Sequence, residues 1–197
     1  MFNDPEIEQV PSPTTSPNQE TTVVLVRDMA QMQAAYDVRR QVFLVEGGEN
    51  EEEEFDGNDF CAAHLLAFWN GKPVGTMRLR IVSGSEGGTI IWERLAITKD
   101  AREANPWLFR KILNAARHYT ELMGLKHVIG IVENPKLMRF WRIYGGKDTG
   151  EAPLDMGGHT YRPIRLTIKR DSPMPTPTLR EAILPVPQMF EETRRTV

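Results

Sequence analysis

The segment "AAHLLAFWNGKPVGTMRLRIV" limits the fold more tightly than any other stretch of the chain. Two apolar runs flank Asn70-Gly71, a dipeptide that accepts the positive φ angles of a two-residue type I′ turn, so the segment predicts an antiparallel hairpin. In its second arm Met77, Leu79 and Ile81 alternate with Arg78 and Arg80, which gives that strand one apolar and one basic face. The fold must therefore contain a sheet with these two strands adjacent.

Around the hairpin the pattern alternates. "TTVVLVRD" is β-branched and bounded by polar residues, the mark of a strand. Ala35, Val38, Val42 and Val45 form the stripe of an amphipathic helix that ends at Gly47 and Gly48. "GGTIIWERLAI" reads as a strand, and "TKDAREANPWLFRK" opens a long helix with Asn105 as N-cap and Pro106 at its first position. Leu108, Ile112, Ala115, Tyr119 and Leu122 are its buried stripe, with Gly124 in the C′ position. "KHVIGIV" is a strand, "ENPKLMRFWRIYGG" a shorter helix and "TYRPIRLTIK" a last strand. The order β, α, β, β, β, α, β, α, β predicts an α/β (α+β) fold with a mixed central sheet flanked by helices.

At 197 residues the chain suits one domain with tails. Residues 1–20 hold four prolines among polar residues and read as a flexible N-terminal extension. Residues 21–170 form the domain, and 171–197 a Pro-rich C-terminal extension whose apolar patch, Ala182, Ile183, Leu184 and Val186, could strap onto the domain or a partner subunit.

A net charge of −3 with scattered basic residues argues against nucleic acid as a partner. "TVVLV" and "HLLAF" are too short to span a bilayer, and the acidic N-terminus lacks the features of a signal peptide, so a cytoplasmic protein without a membrane span is expected. Cys61, the single cysteine, begins an apolar strand and is expected to be a buried, inert thiol. His64, His118, His127 and His159 lack zinc-ligand spacing, and "VEGGENEEEEFDGNDF" does not reproduce a calcium loop, so no metal is expected.

"WERLAITKDAREANPWLFRKILNAARHYTELMGLKHVIGIVENPKLMRFWRIYGG" resembles the core of the GNAT superfamily of N-acyltransferases. Leu95, Ala96 and Ile97 match the family's strand and Arg102 its arginine; Asn134, Phe140-Trp141 and Gly145-Gly146 match its later motifs, while "VRRQVFLVE" and "GKPVGTMRLRI" resemble its first helix and hairpin. The resemblance covers roughly residues 22–170 by matching of elements. It implies a single GNAT-like domain that passes an acyl group from acetyl-CoA or a longer acyl-CoA to the primary amine of a small molecule. It also implies that Leu95, Ala96, Ile97, Arg102, Asn105, Trp107, Asn134 and Trp141 meet the donor, with backbone N–H groups of a strand bulge aimed at the thioester carbonyl.

Two departures stand out. Asn105 and Trp107 occupy positions where the family's pyrophosphate loop carries glycine, whose missing Cβ allows close backbone approach. Either Trp107 packs under the helix, or donor binding is altered. Trp141 stands where many relatives have a tyrosine that protonates the leaving thiolate; Tyr144 is a candidate substitute acid, with packing as its other role. Glu93 is a candidate base for the attacking amine, or else an ion-pair partner of Arg78, Arg80 or Arg94.

Arg39, Phe43, Glu54, Asp56, Asp59, Arg78 and Glu93-Arg94 are also similar, in order, to the pattern of acyl-homoserine-lactone synthases, GNAT-like enzymes that take acyl chains from acyl carrier protein. The acceptor is expected over the acidic segment, at Glu46, Glu54, Asp56 and Asp59 with Arg78. Three readings follow: an N-acyltransferase, an acyl-homoserine-lactone or N-acyl-amino-acid synthase supplied by acyl carrier protein, and a GNAT-shaped binding protein without catalysis. A homodimer is open to all three.

Overall fold

Asn70 and Gly71 adopt φ of 51° and 75°, the turn their sequence predicts, and join β2 (Ala63–Trp69) to β3 (Lys72–Ser83). The computed structural model describes residues 20–84, 87–133, 135–156, 158–169 and 186–194. Ahead of the hairpin lie β1 (Thr21–Leu25), α1 (Met29–Arg39), a π-helical turn (Arg40–Glu46), α2 (Glu51–Glu54) and a 3₁₀ turn (Asn58–Cys61). After it come β4 (Thr89–Ile97), α3 (Lys99–Ala104), α4 (Leu108–Leu122), β5 (His127–Val132) and α5 (Pro135–Ile143). Two short strands, β6 (Lys147–Asp148) and β7 (Leu154–Met156), precede β8 (His159–Thr167), and α6 (Val186–Arg194) lies in the C-terminal extension.

The sheet runs β1-β2-β3-β4-β5-β8-β6, with β7 paired to β8. Among the described strands only β4 and β5 pair in parallel, because the α3–α4 crossover returns the chain to the same end of the sheet. One face packs on α4, whose Leu108, Ile112, Ala115 and Tyr119 are buried as their spacing predicts. There Trp92 Nε1 donates to Thr120 Oγ1 at 3.1 Å, and its ring lies 6.1 Å from that of Trp141 on α5. The other face carries α1 and the charged side chains of β3 and β4. Gly124, at φ 73°, ends α4, and Leu125 N–H donates to Thr120 O.

Three local expectations need correction, and two short strands are added. Ala35 and Val38 are buried, but Val45 is 72% exposed, because the helix changes to i→i+5 bonding at Arg40 and its apolar stripe rotates off the sheet. The segment from Thr98 is two helices, not one: Asn105 closes α3, its N–H donating to Ala101 O. Cys61 is exposed at the end of the 3₁₀ turn, its thiol 3.3 Å from Asn58 O, since the strand begins two residues later than its apolar run suggests. The sequence gives no sign of β6 or β7, which are too short for alternation to register.

Val186–Arg194 packs against α4 and β1. Phe190 is fully buried, with its ring 5.1 Å from that of His118, and Arg194 Nη1 donates to Val23 O. Ala182, Ile183 and Leu184 lie outside the described residues. Burial lowers the proton affinity of both His118 and His64. Both are then neutral in the fold when the unfolded chain, with histidine pKa about 6.5, begins to bind protons. Stability contributed by the neutral imidazoles is complete above that value and is lost as pH falls through the depressed folded values. Urea titration is expected to give a lower unfolding midpoint at pH 5 than at pH 7; an equal or higher midpoint would argue against neutral burial.

Candidate functional site

The β4–β5 ladder is short. Thr89, Ile90 and Ile91 pair with His127, Val128 and Ile129, and there it stops, although β4 runs on to Ile97 and β5 to Val132. The C-terminal ends of two parallel strands thus part, leaving a wedge of the kind in which open α/β sheets bind ligands. On its other edge β4 is bulged. Thr76 pairs with Ala96 and Arg78 with Glu93, so Met77 of β3 alone opposes Arg94 and Leu95 of β4, and Arg94 takes φ 53° to absorb the extra residue. A non-glycine residue held at positive φ is strained, and here the strain re-aims the backbone of Arg94 to Ile97.

Beside the bulge, under α1 and α2, lies a buried charge network. Arg39 Nε and Nη1 are each 2.5 Å from a carboxylate, Glu54 Oε1 and Asp59 Oδ1 respectively. Arg78 Nη1 reaches Asp56 Oδ1 at 2.7 Å and Asp59 Oδ1 at 3.1 Å, and its Nε reaches Glu93 Oε1 at 3.1 Å. Arg80 Nε donates to the same Glu93 oxygen at 3.0 Å, and Arg94 Nε lies 2.8 Å from Glu54 Oε2. Burial pushes the Glu54 carboxyl up, against the pull of Arg39 and Arg94. The hydrogen bonds from Arg78 hold Asp56 well below the usual carboxylate range.

The acidic segment is consequently not an open mouth. Glu54 and Asp59, at 2% and 4% side-chain exposure, are turned inward onto arginines, and Arg78 is buried with them. The residues that resemble the synthase pattern do meet: Arg39, Glu54, Asp56, Asp59, Arg78, Glu93 and Arg94 form one connected network. Glu93 has its ion-pair role with Arg78 and Arg80, and one of its oxygens already accepts from both.

The donor-side residues are arranged less simply. Arg102 donates to Ile97 O and to Glu46 Oε2, both at 2.7 Å, and Lys99 N–H at the start of α3 donates to Glu46 Oε1 at 3.3 Å. Burial acts to raise the Glu46 carboxyl, but these donors outweigh it and the group falls below its ordinary value. Asn105 folds back on the start of α4: its Oδ1 accepts from Trp107 N–H at 3.3 Å and its carbonyl from Leu108 N–H at 3.1 Å. Pro106 has no N–H to offer. Trp107 does not pack under the helix. It is 60% exposed, with the Arg110 guanidinium 4.2 Å from its ring centre. Trp141 is buried against Trp92, and Tyr144 lines a cavity of about 640 Å³ with Arg117, Lys147 and Arg165. Asn134 lies outside the described residues.

The rim of the wedge holds groups that the sequence does not single out. Glu133 follows β5 and His159 opens β8, and His159 Nδ1 lies 2.7 Å from Glu133 Oε1. Burial first, and then the charges of Glu49 and Glu133, push the Tyr161 hydroxyl on β8 above its ordinary value. Their separation along the chain, 26 residues between Glu133 and His159, leaves no local pattern to find.

No protein-family model matches the chain. A Bacillus subtilis (strain 168) protein carrying the name of an acetyltransferase is 37% identical over 97 residues, which cover 48% of this chain and 62% of that protein. The chain therefore spans less than two thirds of that relative. The crystal structure of an acyl-CoA N-acyltransferase from Pseudomonas aeruginosa superposes with a TM-score of 0.61 at 21% identity, covering 76% of this chain and 99% of the other. FeeM, an N-acyl amino acid synthase from uncultured soil microbes, superposes with a TM-score of 0.66 at 14% identity, covering 76% and 91%. At such identities the solved structures speak to the fold.

Proposed function

We propose that this chain, which has the fold of the GNAT N-acyltransferases, moves an acyl group from a thioester to the primary amine of a small molecule, in the wedge between β4 and β5. The bulge at Arg94 carries this reading. It lies where β4 has left β5, so backbone N–H groups of Leu95 to Ile97 can face an acyl carbonyl. Donors fixed in a strand need no reorganisation as the oxyanion forms. The leaving thiolate, from a thiol of pKa about 8.5, departs without an acid, so neither Trp141 nor Tyr144 has to supply a proton.

Acetyl-CoA or a longer acyl-CoA is the donor this fold suggests, and the acetyltransferase name of the B. subtilis relative favours it. A second reading, an acyl carrier protein as donor and a cytoplasmic N-acyl-amino-acid or acyl-homoserine-lactone synthase as the enzyme, draws on the turn before α4. There the amides of Trp107 and Leu108 are already bound by Asn105, which leaves a poor seat for a pyrophosphate. A carrier-bound pantetheine makes no such demand.

The test is acyl transfer by the purified protein from matched acyl-CoA and acyl-carrier donors of short, medium and long chain to a panel of primary amines. Transfer from at least one donor is expected. Silence from all, together with no CoA binding by calorimetry, would sink the reading. Under the carrier reading Trp107→Gly should tighten CoA binding about tenfold, a gain of about 1.4 kcal/mol; unchanged affinity would exonerate the indole.

A further inference from the structure

We propose that His159 is the general base of the transfer, taking a proton from the acceptor's ammonium through Nε2 while Glu133 positions the ring at Nδ1; this rests on the acyl-transfer reading above. A primary amine with pKa near about 10.4 is protonated at neutral pH and cannot attack until a proton leaves. Glu93, the carboxylate that the sequence favours for this task, is held by Arg78 and Arg80, with only 14% of its side chain exposed. Its Oε1 is already occupied by two guanidinium donors.

His159 has the opposite setting. The Nδ1 to Glu133 Oε1 contact of 2.7 Å lets Nδ1 carry the hydrogen and leaves the lone pair on Nε2, the base-and-orienter arrangement that recurs in acyl transfer. The imidazole is 46% exposed, so a substrate can reach it. It stands where β8 begins, three residues before Arg162, which pairs with Val132 at the end of β5, and it reaches back to Glu133 just past that end. After Glu133, the charges of Glu49 and Glu53 also act to raise its proton affinity. Arg94 ties the bulge to α2 by donating to Glu53 O at 2.8 Å. The groups that act on His159 are thus Glu133 just after β5, Glu49 ahead of α2, Glu53 in α2, and Tyr161 on β8, whose ring is 6.4 Å away. The hydrogen bond to Glu133 raises the proton affinity of His159, which brings it nearer to that of the amine and improves it as a base.

His159 Nε2 takes a proton from the ammonium, and the neutral nitrogen attacks the thioester carbon. The new N–C bond forms as the carbonyl π pair moves to oxygen, where the β4 amides hold it. The pair returns, the C–S bond breaks with its electrons on sulfur, and the second N–H proton passes to the thiolate through water. Amide, thiol and protonated His159 result, and the imidazolium loses its proton to solvent.

Transfer rates for the wild type, His159→Gln and Glu133→Gln, measured across pH with the best donor and amine from the panel, test the assignment. Both side chains are about half exposed, so folding should be unaffected, which circular dichroism checks. His159→Gln is expected to lower kcat/KM by about 10²–10⁴-fold at neutral pH, to abolish the acidic limb of the profile and to regain activity with added imidazole. Glu133→Gln should keep the limb and move it to lower pH. If wild type transfers and His159→Gln keeps its rate and acidic limb, the assignment is overturned alone; if wild type transfers to no amine, it falls together with the acyl-transfer reading.

Discussion

Arg39→Met will lower folding stability by about 3–5 kcal/mol. Arg39 is fully buried at the end of α1, where its guanidinium joins Glu54 and Asp59 and donates to Glu54 O. Arg78 and Arg94 share these carboxylates but do not replace Arg39. Removing the cation leaves two acids in a dry site with too few donors, and the cost of an uncompensated buried charge exceeds that of the lost contacts. Arg40, the next residue, pairs with Glu51 in solvent at 2.7 Å, and Arg40→Met should change stability by no more than about 1 kcal/mol. Urea unfolding of the two variants side by side measures the difference. A loss below about 1 kcal/mol for Arg39→Met would mean that the network is not buried as described.

Phe190→Ala should cost about 3–5 kcal/mol. Its ring is the one fully buried side chain contributed by α6 among the described residues, and it seats on α4 beside His118 while Arg194 reaches Val23 O in β1. Truncating a large aromatic in such a place removes its transfer energy and leaves a cavity that rigid neighbours cannot fill. The extension is therefore expected to unfold with the domain in one transition. Near-native stability in Phe190→Ala, or a separate low-energy transition for α6, would contradict this.

The frame of the fold was readable because its signals are local. Asn70-Gly71 specifies a turn, Met77 and Leu79 alternate with Arg78, and the stripe from Leu108 to Tyr119 has the helical period; each pattern needs only its own segment. The misses arise where tertiary contacts decide. The π turn after Arg39 carries Glu46 to Arg102 and Lys99, and nothing in "RQVFLVE" announces the change of winding. Asn105 carries a capping signal, and its side chain does bind the N–H of Trp107, but it also closes α3, so the helix start moves two residues on. At the proposed site the sequence points to β4 and to most of the charged network. It is silent on Glu133 and His159, which β5 and β8 bring together only once the sheet forms.

The central claim is that β4, where it leaves β5, holds an acyl thioester by its backbone. The most direct measurement is a structure with a stable donor analogue, an acyl-pantetheine and its CoA counterpart in which a ketone methylene replaces the thioester sulfur. The account predicts the acyl chain in the wedge and the carbonyl oxygen about 2.7–3.1 Å from a backbone N–H of Leu95 to Ile97. A carbonyl bound away from this strand, or no binding of either analogue, would contradict it.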